Sequence, residues 1–446
     1  MIHALMMSAA LAQPAGNELS PEAADLLERS AVIASIDPTL EGDRFADLMP
    51  LKAAIGDARV VWLGEQSHGE GAAFLAKGRL VKFLHQEMGF DVLVWEAGMA
   101  EGPTVDRAMQ DPAVTGLEAA KLSVFPIWTD AAQVRPTLDY VKATQATDRP
   151  ITTAGMDAQI TSRPEQRVLE GLIAELFEPL GATPAGIDAF REPLTRFAAS
   201  QSVDDGRAAV EALERSIGML DAARPALEAH HEPWRIRFVE MSLGDAAAFT
   251  RSQVAFHESG GDMSKMDHAV LNVRDQRMGD NLVFLADEVY PDRKLIVWAA
   301  TFHGIYDLRS ITVPWRAGMY DTMFAAGKTA HERLGGELYH IAFIAESGAV
   351  GSVYTPQPRP IPPKPAGSFG ALLSEIDQPF LFTDLRGLPE DHRLRSETTM
   401  APLGNFPMSA VWPEQFDAVF SIETEFPASK TELHPFDYRL TVGGIR

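Results

Sequence analysis

Short apolar runs alternate with segments of helical periodicity along most of the 446-residue chain. Each run has the length of a buried β-strand, whereas the segments between them repeat their apolar residues every three or four positions. The predicted strands lie at 59–63, 90–95, 150–155, 294–300 and 338–344. This alternation predicts an α/β fold with a mostly parallel sheet that is flanked by helices on both faces.

The segment after the first predicted strand has a clear helical pattern. Phe74, Lys77, Val81, Leu84 and Met88 share one face at helical spacing, and the glycine that follows ends the helix. Lys77 is unexpected on this face, because a charge among apolar side chains is costly without a partner. It either meets a partner inside the fold or extends along the surface so that its ammonium group stays in water.

Two stretches interrupt the alternation of strands and helices. Residues 165–258 are rich in Ala, Glu, Leu and Arg, contain no convincing strand, and predict a helical insertion that caps the cleft. The α/β core then comprises 24–164 and 259–430. A proline-rich stretch at 356–367 predicts an extended connector, and 416–423 predicts a final strand.

The first residues, 1–15, have features of a secretory signal peptide. Leu5 to Leu11 are largely apolar, and Ala10-Leu11-Ala12 fits a cleavage site, although no basic residue precedes the apolar part. If the segment is removed on export, we expect a periplasmic or secreted protein. The alternative is an ordinary N-terminus and a cytoplasmic protein.

Composition excludes several classes of function. The chain has 39 Lys and Arg against 62 Asp and Glu, a net charge of −23, so it repels phosphate backbones and nucleic acid is not an expected partner. It has no cysteine, which excludes a thiol nucleophile and Cys-ligated zinc. No apolar run approaches the roughly 20 residues that span a bilayer, so membrane insertion is not expected.

Polar residues follow four of the predicted strands at the point where each strand ends. Glu65 and His68 follow the first strand, Glu96 the second, Asp157 the third and His303 the fourth. Because the carboxyl ends of parallel strands form the ligand crevice of an open sheet, we expect these side chains to converge on one rim. A single acidic residue there is more often a helix N-cap, but glutamate is a poor cap, and four such ends favour a functional site.

Arg274 adds a cation to this set. It precedes apolar residues at helical spacing, which places it near the inner face of its predicted helix. It either binds a carboxylate of the site or of a substrate, or forms a structural ion pair with Asp157 or Glu96.

Several standard motifs are absent from the sequence. It contains no G-x-S-x-G nucleophile elbow and no H-E-x-x-H zinc motif. No G-x-G-x-x-G pattern follows a predicted strand. A typical serine hydrolase, a zinc protease of that type and a dinucleotide-binding enzyme are therefore not expected.

The polar strand ends belong to longer blocks of sequence. These are GEQSHG at 64–69, WEA at 95–97, GMDAQ at 155–159, VRDQRM at 273–278 and WAATFH at 298–303. Together they resemble the erythromycin esterase family, and the similarity covers most of residues 24–430. The E-x-x-H-G block is fairly specific when the downstream glutamate and the R-D-x-x-M helix accompany it.

The resemblance implies an α/β core with a helical cap over a cleft. It also implies hydrolysis of a macrolide lactone by water, without a serine acyl-enzyme. Carried over residue by residue, it implies that Glu65, His68, Glu96 and His303 form the catalytic set. Lys77 stands where the family usually has arginine. No cofactor and no metal are expected.

One position departs from the family pattern. The family typically shows W-A-H-N-x-H, and here Ala300 replaces the first histidine. That histidine is a catalytic residue in characterised members. The departure implies a divergent hydrolase or a member that has lost activity.

The residues and the resemblance together predict hydrolysis of a small-molecule ester or lactone by activated water. His68, oriented by Glu65 or Glu96, removes a proton from water, a role that suits a neutral imidazole.

Cations of the predicted site would then stabilise the oxyanion. Lys77, Arg274 or a protonated His303 could do so. We assign Lys77, Arg274 and Asp157 to substrate binding.

Two alternatives remain at this point. Two histidines and two carboxylates could hold a divalent ion for metal-dependent hydrolysis, although the loss of the histidine at position 300 weakens this alternative. The chain could also be a non-catalytic homologue whose cleft binds a ligand.

Overall fold

A nine-stranded sheet forms the centre of the protein in the computed structural model, which describes residues 18–163, 166–355 and 357–442. Two further strands pair with each other outside this sheet. In chain order the strands are β1 (Ser30–Val32), β2 (Val60–Leu63), β3 (Val92–Gly98), β4 (Thr152–Asp157), β5 (Leu295–Trp298), β6 (Leu338–Val350), β7 (Arg359–Pro360), β8 (Phe380–Asp384), β9 (Thr398–Met400), β10 (Met408–Ala410) and β11 (Ala418–Glu425).

The sheet is mostly parallel, as predicted. Its strands follow the order β1-β8-β11-β6-β2-β5-β3-β4, with β7 paired to β6. From β11 to β4 all neighbours are parallel, whereas β8 is antiparallel to both β1 and β11, and β7 is antiparallel to β6. Every residue of β2, β3 and β5 is buried, which explains why these strands are continuous apolar runs.

Helices cover both faces of the sheet. They are α1 (Pro21–Glu28), α2 (Met49–Ile55), α3 (Gly71–Met88), α4 (Gly102–Gln110), α5 (Gly116–Ala120), α6 (Pro126–Thr129), α7 (Arg135–Thr144), α8 (Val168–Phe177), α9 (Arg191–Ser200), α10 (Val203–Leu227), α11 (Pro233–Glu258), α12 (His268–Phe284), α13 (Thr301–Gly304), α14 (Ala326–Leu334) and α15 (Phe369–Ile376). Val61 and Leu63 of β2 belong to the core that α2 to α7 cover, whereas Val60 and Trp62 belong to the core that α8, α10 to α12 and α14 cover.

Helices α8 to α11 occupy most of the segment between β4 and α12. The structure assigns no strand to residues 166–258. Ser202 caps α10 by accepting a hydrogen bond from the backbone of Asp205, and Pro233 begins α11. Buried Leu213 of α10 and Leu243 of α11 belong to the same core as α12. The role of this segment as a separate cap stays a prediction.

Two strands of the sheet differ from the sequence pattern. Strand β1 is only three residues long and pairs with a single neighbour, which leaves no periodicity to detect. Strand β6 continues past the predicted end at 344 to Val350, because its last residues pair with β7 in the proline-rich stretch. Ser347 and Gly348 are exposed there, so the apolar pattern stops before the strand does.

The predicted signal peptide at residues 1–15 lies outside the described residues. It therefore stays a prediction, as does the localisation that depends on it. None of the described helices is both long and apolar enough to cross a membrane.

Candidate active site

The turn after β2 carries the first part of the candidate site. The chain passes through Gly64 to the fully buried Glu65. A Cβ atom at position 64 would collide with Thr301 Oγ1 and would lie 3.1 Å from the carbonyl oxygen of Ile341. The Thr301 N–H donates to the Glu65 carbonyl at 2.9 Å. Glycine therefore allows the end of β2 to lie directly against the start of α13, which carries His303.

Glu65 and His68 form a carboxylate–imidazole pair. His68 Nδ1 lies 2.8 Å from Glu65 Oε1, and Trp128 Nε1 donates to the same oxygen at 3.0 Å. The Glu65 side chain has no exposed surface, whereas 37% of the His68 side chain is exposed. The Trp128 ring packs edge-on against the imidazole, with centroids 5.1 Å apart. Glu65 therefore orients His68, and no described residue hydrogen-bonds to Nε2.

Lys77 approaches the same carboxylate from α3. Its Nζ donates to Glu65 Oε2 at 2.6 Å and lies 4.3 Å from the centroid of the Trp298 ring. The side chain is completely buried, so the alternative of an ammonium group that stays in water is wrong. A buried charge requires a partner, and Glu65 provides it. Complete burial does not favour a role in substrate binding, which stays a prediction.

Glu65, His68 and Lys77 shift one another's pKa values. Burial alone raises the pKa of Glu65, but Lys77 and His68 outweigh it, so that the pKa is lowered. Burial lowers the pKa of His68, but the hydrogen bond to Glu65 and the charge of Glu96 outweigh it and raise that pKa. The pKa of Lys77 is lowered, because burial outweighs its carboxylate neighbours. Of the three side chains, only His68 is accessible to water.

A second carboxylate–histidine pair lies at the ends of β3 and β5. His303 Nδ1 lies 2.6 Å from Asp275 Oδ1, and its Nε2 lies 3.3 Å from Glu96 Oε1. The same Glu96 oxygen accepts from Arg274 Nη2 at 3.1 Å, and Glu96 Oε2 accepts from the Ala300 N–H at 2.9 Å. His303 and Glu96 are both buried. Each ring nitrogen of His303 therefore lies near a carboxylate.

Arg274 connects this pair to Asp157 at the end of β4. Its Nε and Nη2 donate to the Asp157 carboxylate at 3.0 and 2.6 Å, and its Nη1 lies 3.3 Å from His303 Nε2. The Gln159 amide, turned so that its oxygen faces the guanidinium, accepts from Nε at 2.6 Å and from Nη2 at 3.1 Å. Both ion pairs that the sequence offered for Arg274, with Asp157 and with Glu96, are present.

In the second group, neighbouring charges favour the ionised forms of both His303 and Glu96. Burial lowers the pKa of His303, but the carboxylates of Asp275 and Glu96 outweigh it and raise that pKa to about 10. Burial raises the pKa of Glu96, but the positive charges of His303, His68 and Arg274 hold it well below its usual value. The two carboxylates therefore favour the imidazolium form of His303 at neutral pH.

A cavity of about 280 Å³ opens beside the second group. Its wall includes Arg274, Asp275 and His303, together with the aromatic rings of Phe249 and Phe302. We call it the arginine cavity. It places the guanidinium and the imidazolium next to space that a small molecule can occupy.

The seven predicted site residues form two neighbouring groups. One contains Glu65, His68 and Lys77, and the other contains Glu96, Asp157, Arg274 and His303. The hydrogen bond from Thr301 to Glu65 joins them, and the charge of Glu96 acts on the pKa of His68. The expected convergence on one rim takes the form of two adjoining clusters. The catalytic and binding roles stay predictions.

Sequence reasoning missed two residues of these clusters. Asp275 contacts His303 and also accepts a hydrogen bond from the Ala326 N–H at 3.2 Å. Its place beside Arg274 in the R-D block is a signal that could have identified it. Trp128 lies in the short helix α6, away from every strand end, and no pattern in the sequence indicates its contact with Glu65.

Ala300 occupies the position where the family pattern has its first histidine. Its N–H binds Glu96, and its carbonyl oxygen accepts from Trp62 Nε1 at 3.3 Å. The backbone at this position therefore helps to hold Glu96. The methyl side chain supplies no group for proton transfer.

A match to a protein-family model shows to which family the chain belongs. The model for erythromycin esterase matches residues 85–424, which is more than half of the chain. The chain belongs to the erythromycin esterase family. Glu96, Asp157, Arg274 and His303 lie inside the matched range, whereas the pair of Glu65 and His68 precedes it.

Individual members show how far the similarity extends. The Bacillus subtilis (strain 168) protein named "Putative hydrolase YbfO" is 24% identical over 405 residues, which cover 86% of this chain and 87% of that protein. Erythromycin esterase type II of Escherichia coli is 41% identical over 64 residues, 14% of this chain and 15% of that enzyme. The family and these names support a hydrolase with a small-molecule substrate.

Solved structures share the erythromycin esterase-like fold. A Bacillus cereus protein superposes with a TM-score of 0.74 at 17% identity, covering 92% of this chain and 98% of that protein. A succinoglycan biosynthesis protein gives 0.71 at 19% identity with the same coverage. A mutant of the erythromycin esterase EreC in its open conformation gives 0.67 at 16% identity, covering 89% of this chain and 98% of EreC. At these identities the likeness shows the fold alone.

Proposed function

We propose that this member of the erythromycin esterase family hydrolyses an ester or lactone of a small molecule, with water activated by His68 and no serine nucleophile. The observation that carries the proposal is the Glu65–His68 pair. One ring nitrogen contacts a buried carboxylate at 2.8 Å, while 37% of the side chain remains exposed. An oriented imidazole that water can reach is suited to general-base catalysis.

The proton path follows from this hydrogen bond. With Nδ1–H donating to Glu65, His68 Nε2 carries a lone pair and accepts a proton from water. The water oxygen bonds to the carbonyl carbon, the ester C–O bond breaks, and the leaving alkoxide takes the proton back from His68. Lys77 supports this cycle by holding Glu65 in its ionised form, which stabilises the transient imidazolium.

The second group supplies positive charge for the oxyanion. Arg274 and the imidazolium of His303 both line the arginine cavity, where a carbonyl oxygen can approach them. A well-placed donor lowers the barrier by about 3–4 kcal/mol. Lys77 is a poorer candidate for this role, because it is fully buried and already bound to Glu65.

Ala300 separates this proposal from macrolide hydrolysis. The chain has no imidazole at the position where the family pattern has its first histidine, so His68 is the base of the proposed mechanism. The Escherichia coli relative is named an erythromycin esterase, which makes a macrolide one class to test. Simple esters and smaller lactones are the others.

The test incubates the purified protein with a panel of esters, lactones and macrolides and identifies products by mass spectrometry. We expect at least one substrate to be cleaved, and His68→Asn to lower kcat/KM on it about 10²–10⁴-fold, the usual contribution of a general base. His230→Asn, which changes an exposed histidine of the helical segment, is the matched control. Wild-type turnover by His68→Asn would refute the mechanism.

The same panel addresses the two alternatives. If ligands bind but none is converted, the protein is a non-catalytic homologue. Metal-dependent hydrolysis predicts loss of activity on treatment with a chelator. No observation favours it, because the described residues include no group of three or more His, Asp and Glu side chains placed to hold a metal ion.

A further inference from the structure

A second cavity adjoins the arginine cavity. It measures about 350 Å³ and lies between the ends of β3 and β4 and the helices α8, α9 and α11. We call it the cap chamber. Ala158, Gln159, Phe249 and Gln253 line both cavities. Because these four residues line both spaces, the two cavities lie next to each other.

Apolar side chains give most of the exposed surface of the cap chamber, but charged residues also line it, among them Glu101 and the exposed Arg163, Arg167 and Arg191. The hydroxyl groups of Ser242 and Thr250 donate to carbonyl oxygens one turn earlier in α11, at 2.8 and 2.7 Å. The carboxylate of Asp245 accepts hydrogen bonds from Arg277 and Asn281. These three side chains are therefore bound within the fold and need no ligand, whereas Glu101 Oε2 has no hydrogen-bond partner among the described residues.

A group of apolar side chains forms the part of the wall between α9 and α11. Phe190, Leu194 and Phe197 come from α9 and the residue before it, and Ala246 and Phe249 come from α11. Such a wall favours hydrocarbon over water. A volume of about 350 Å³ lies near the lower end of the usual range for small-molecule sites, about 300–1,000 Å³. It suits one alkyl chain or one ring better than a large macrocycle.

We propose that the cap chamber opens into the arginine cavity and binds the acyl group of the substrate, so that the preferred substrate is an ester of an apolar monocarboxylic acid. This inference rests on the proposed function, because it takes the ester carbonyl to lie beside Arg274 and His303. Gln159 lines both cavities, and its hydrogen bonds to Arg274 hold its side chain in place. The acyl chain passes this side chain and ends against α9 and α11.

The first experiment measures binding without turnover. Linear methyl ketones from butanone to decanone imitate the acyl half of an ester and are not hydrolysed, and calorimetry gives their affinity for the full-length protein. We expect affinity to rise about fourfold per added methylene until the chamber is full, as expected for about 0.8 kcal/mol per buried CH₂. Affinity that does not depend on chain length would overturn the proposal.

Two variants locate the effect in the chamber. Ala246→Phe fills it, and we expect this variant to lose the gain for long chains. Phe249→Ala enlarges it and should move the optimum to longer chains, which keeps the proposal testable if the first variant does not fold. Ala222→Phe, on the exposed side of α10, is the matched control and should retain the wild-type series. A wild-type series in both chamber variants would place the acyl site elsewhere.

Turnover of acetyl to decanoyl esters then separates this inference from the proposed function. If ketones bind in a chain-length series but no ester is cleaved, the chamber is supported and the hydrolase proposal fails. If esters are cleaved with no chain-length preference in kcat/KM and the ketones show none in affinity, hydrolysis is supported and the chamber proposal fails.

Discussion

The two carboxylate–histidine pairs of the site resemble each other in sequence and differ in their electrostatic surroundings. Each histidine follows a strand of the same sheet, and each lies close to a glutamate. His68 contacts a carboxylate through one nitrogen and remains partly exposed, whereas His303 is buried with a carboxylate near each nitrogen. The pKa of His303 rises to about 10, whereas His68 keeps a ring nitrogen with no hydrogen-bond partner among the described residues.

This difference assigns the roles in the proposed mechanism. When surroundings set two titratable groups apart, one can serve as a base while the other keeps its charge. His68 is the group that can exchange protons, and His303 together with Arg274 is the source of fixed positive charge. In the proposed mechanism, the same residue type has two tasks because of the groups packed around it.

Removing Arg274 should have the largest effect on stability, because Arg274 forms ion pairs with two buried carboxylates of the second group. Arg274→Gln leaves Asp157 and Glu96 buried without their guanidinium, and we expect a loss of about 3–5 kcal/mol in the free energy of unfolding. Denaturation by urea at neutral pH measures it. The exposed Arg316→Gln is the control and should change stability by no more than about 0.5 kcal/mol. An equal loss in both variants would show that the ion pairs add nothing.

Gly64→Ala tests the contact that holds the two pairs together. The new methyl group would collide with Thr301, so we expect a loss of about 1–3 kcal/mol in stability. Gly218→Ala in α10 is the matched control, because a Cβ there meets nothing within 4 Å. Alanine in a helix interior should stabilise by about 0.5–1 kcal/mol. The same sign in both variants would contradict the close approach at Gly64.

His303→Asn tests the fixed charge through the pH dependence of stability, a smaller and gradual effect. The folded-state pKa of His303 is raised from 6.5 to about 10, so protonation stabilises the folded protein. The contribution is complete below pH 6.5 and is lost as the pH rises through about 10. The stability difference between wild type and variant should therefore shrink over this range. A difference that stays constant with pH would show that His303 does not hold a proton.

Glu65→Gln tests the first pair through the position of a pH profile. His68 must be neutral to act as a base, and its pKa is raised above 6.5, so kcat/KM of the wild type should rise with pH through that higher value. Replacing the carboxylate by an amide should move this limb to lower pH. NMR titration of His68 gives the same shift independently of activity. Glu28→Gln, an exposed change in α1, should leave the profile in place; a limb that stays fixed in Glu65→Gln would contradict the pairing.

Much of the fold can be predicted because it depends on local patterns. Five predicted strands correspond to β2 to β6, and burial on both faces explains why β2 and β5 are continuous apolar runs. The strand ends also indicate where Glu65, Glu96 and His303 lie. The edge strand β1 is too short to carry a pattern, and its pairing depends on β8, more than 300 residues away in the chain.

The sequence by itself determined the α/β architecture, the family and the set of polar residues at the strand ends. Each of these depends on patterns among a few neighbouring positions. Only the tertiary structure decided which charges pair. Trp128 meets Glu65 across 63 residues and Arg274 meets Glu96 across 178. It also decided that Lys77 is buried and that His68 and His303 differ. Burial and electrostatic interaction depend on distance in space, and spacing along the chain does not specify that distance.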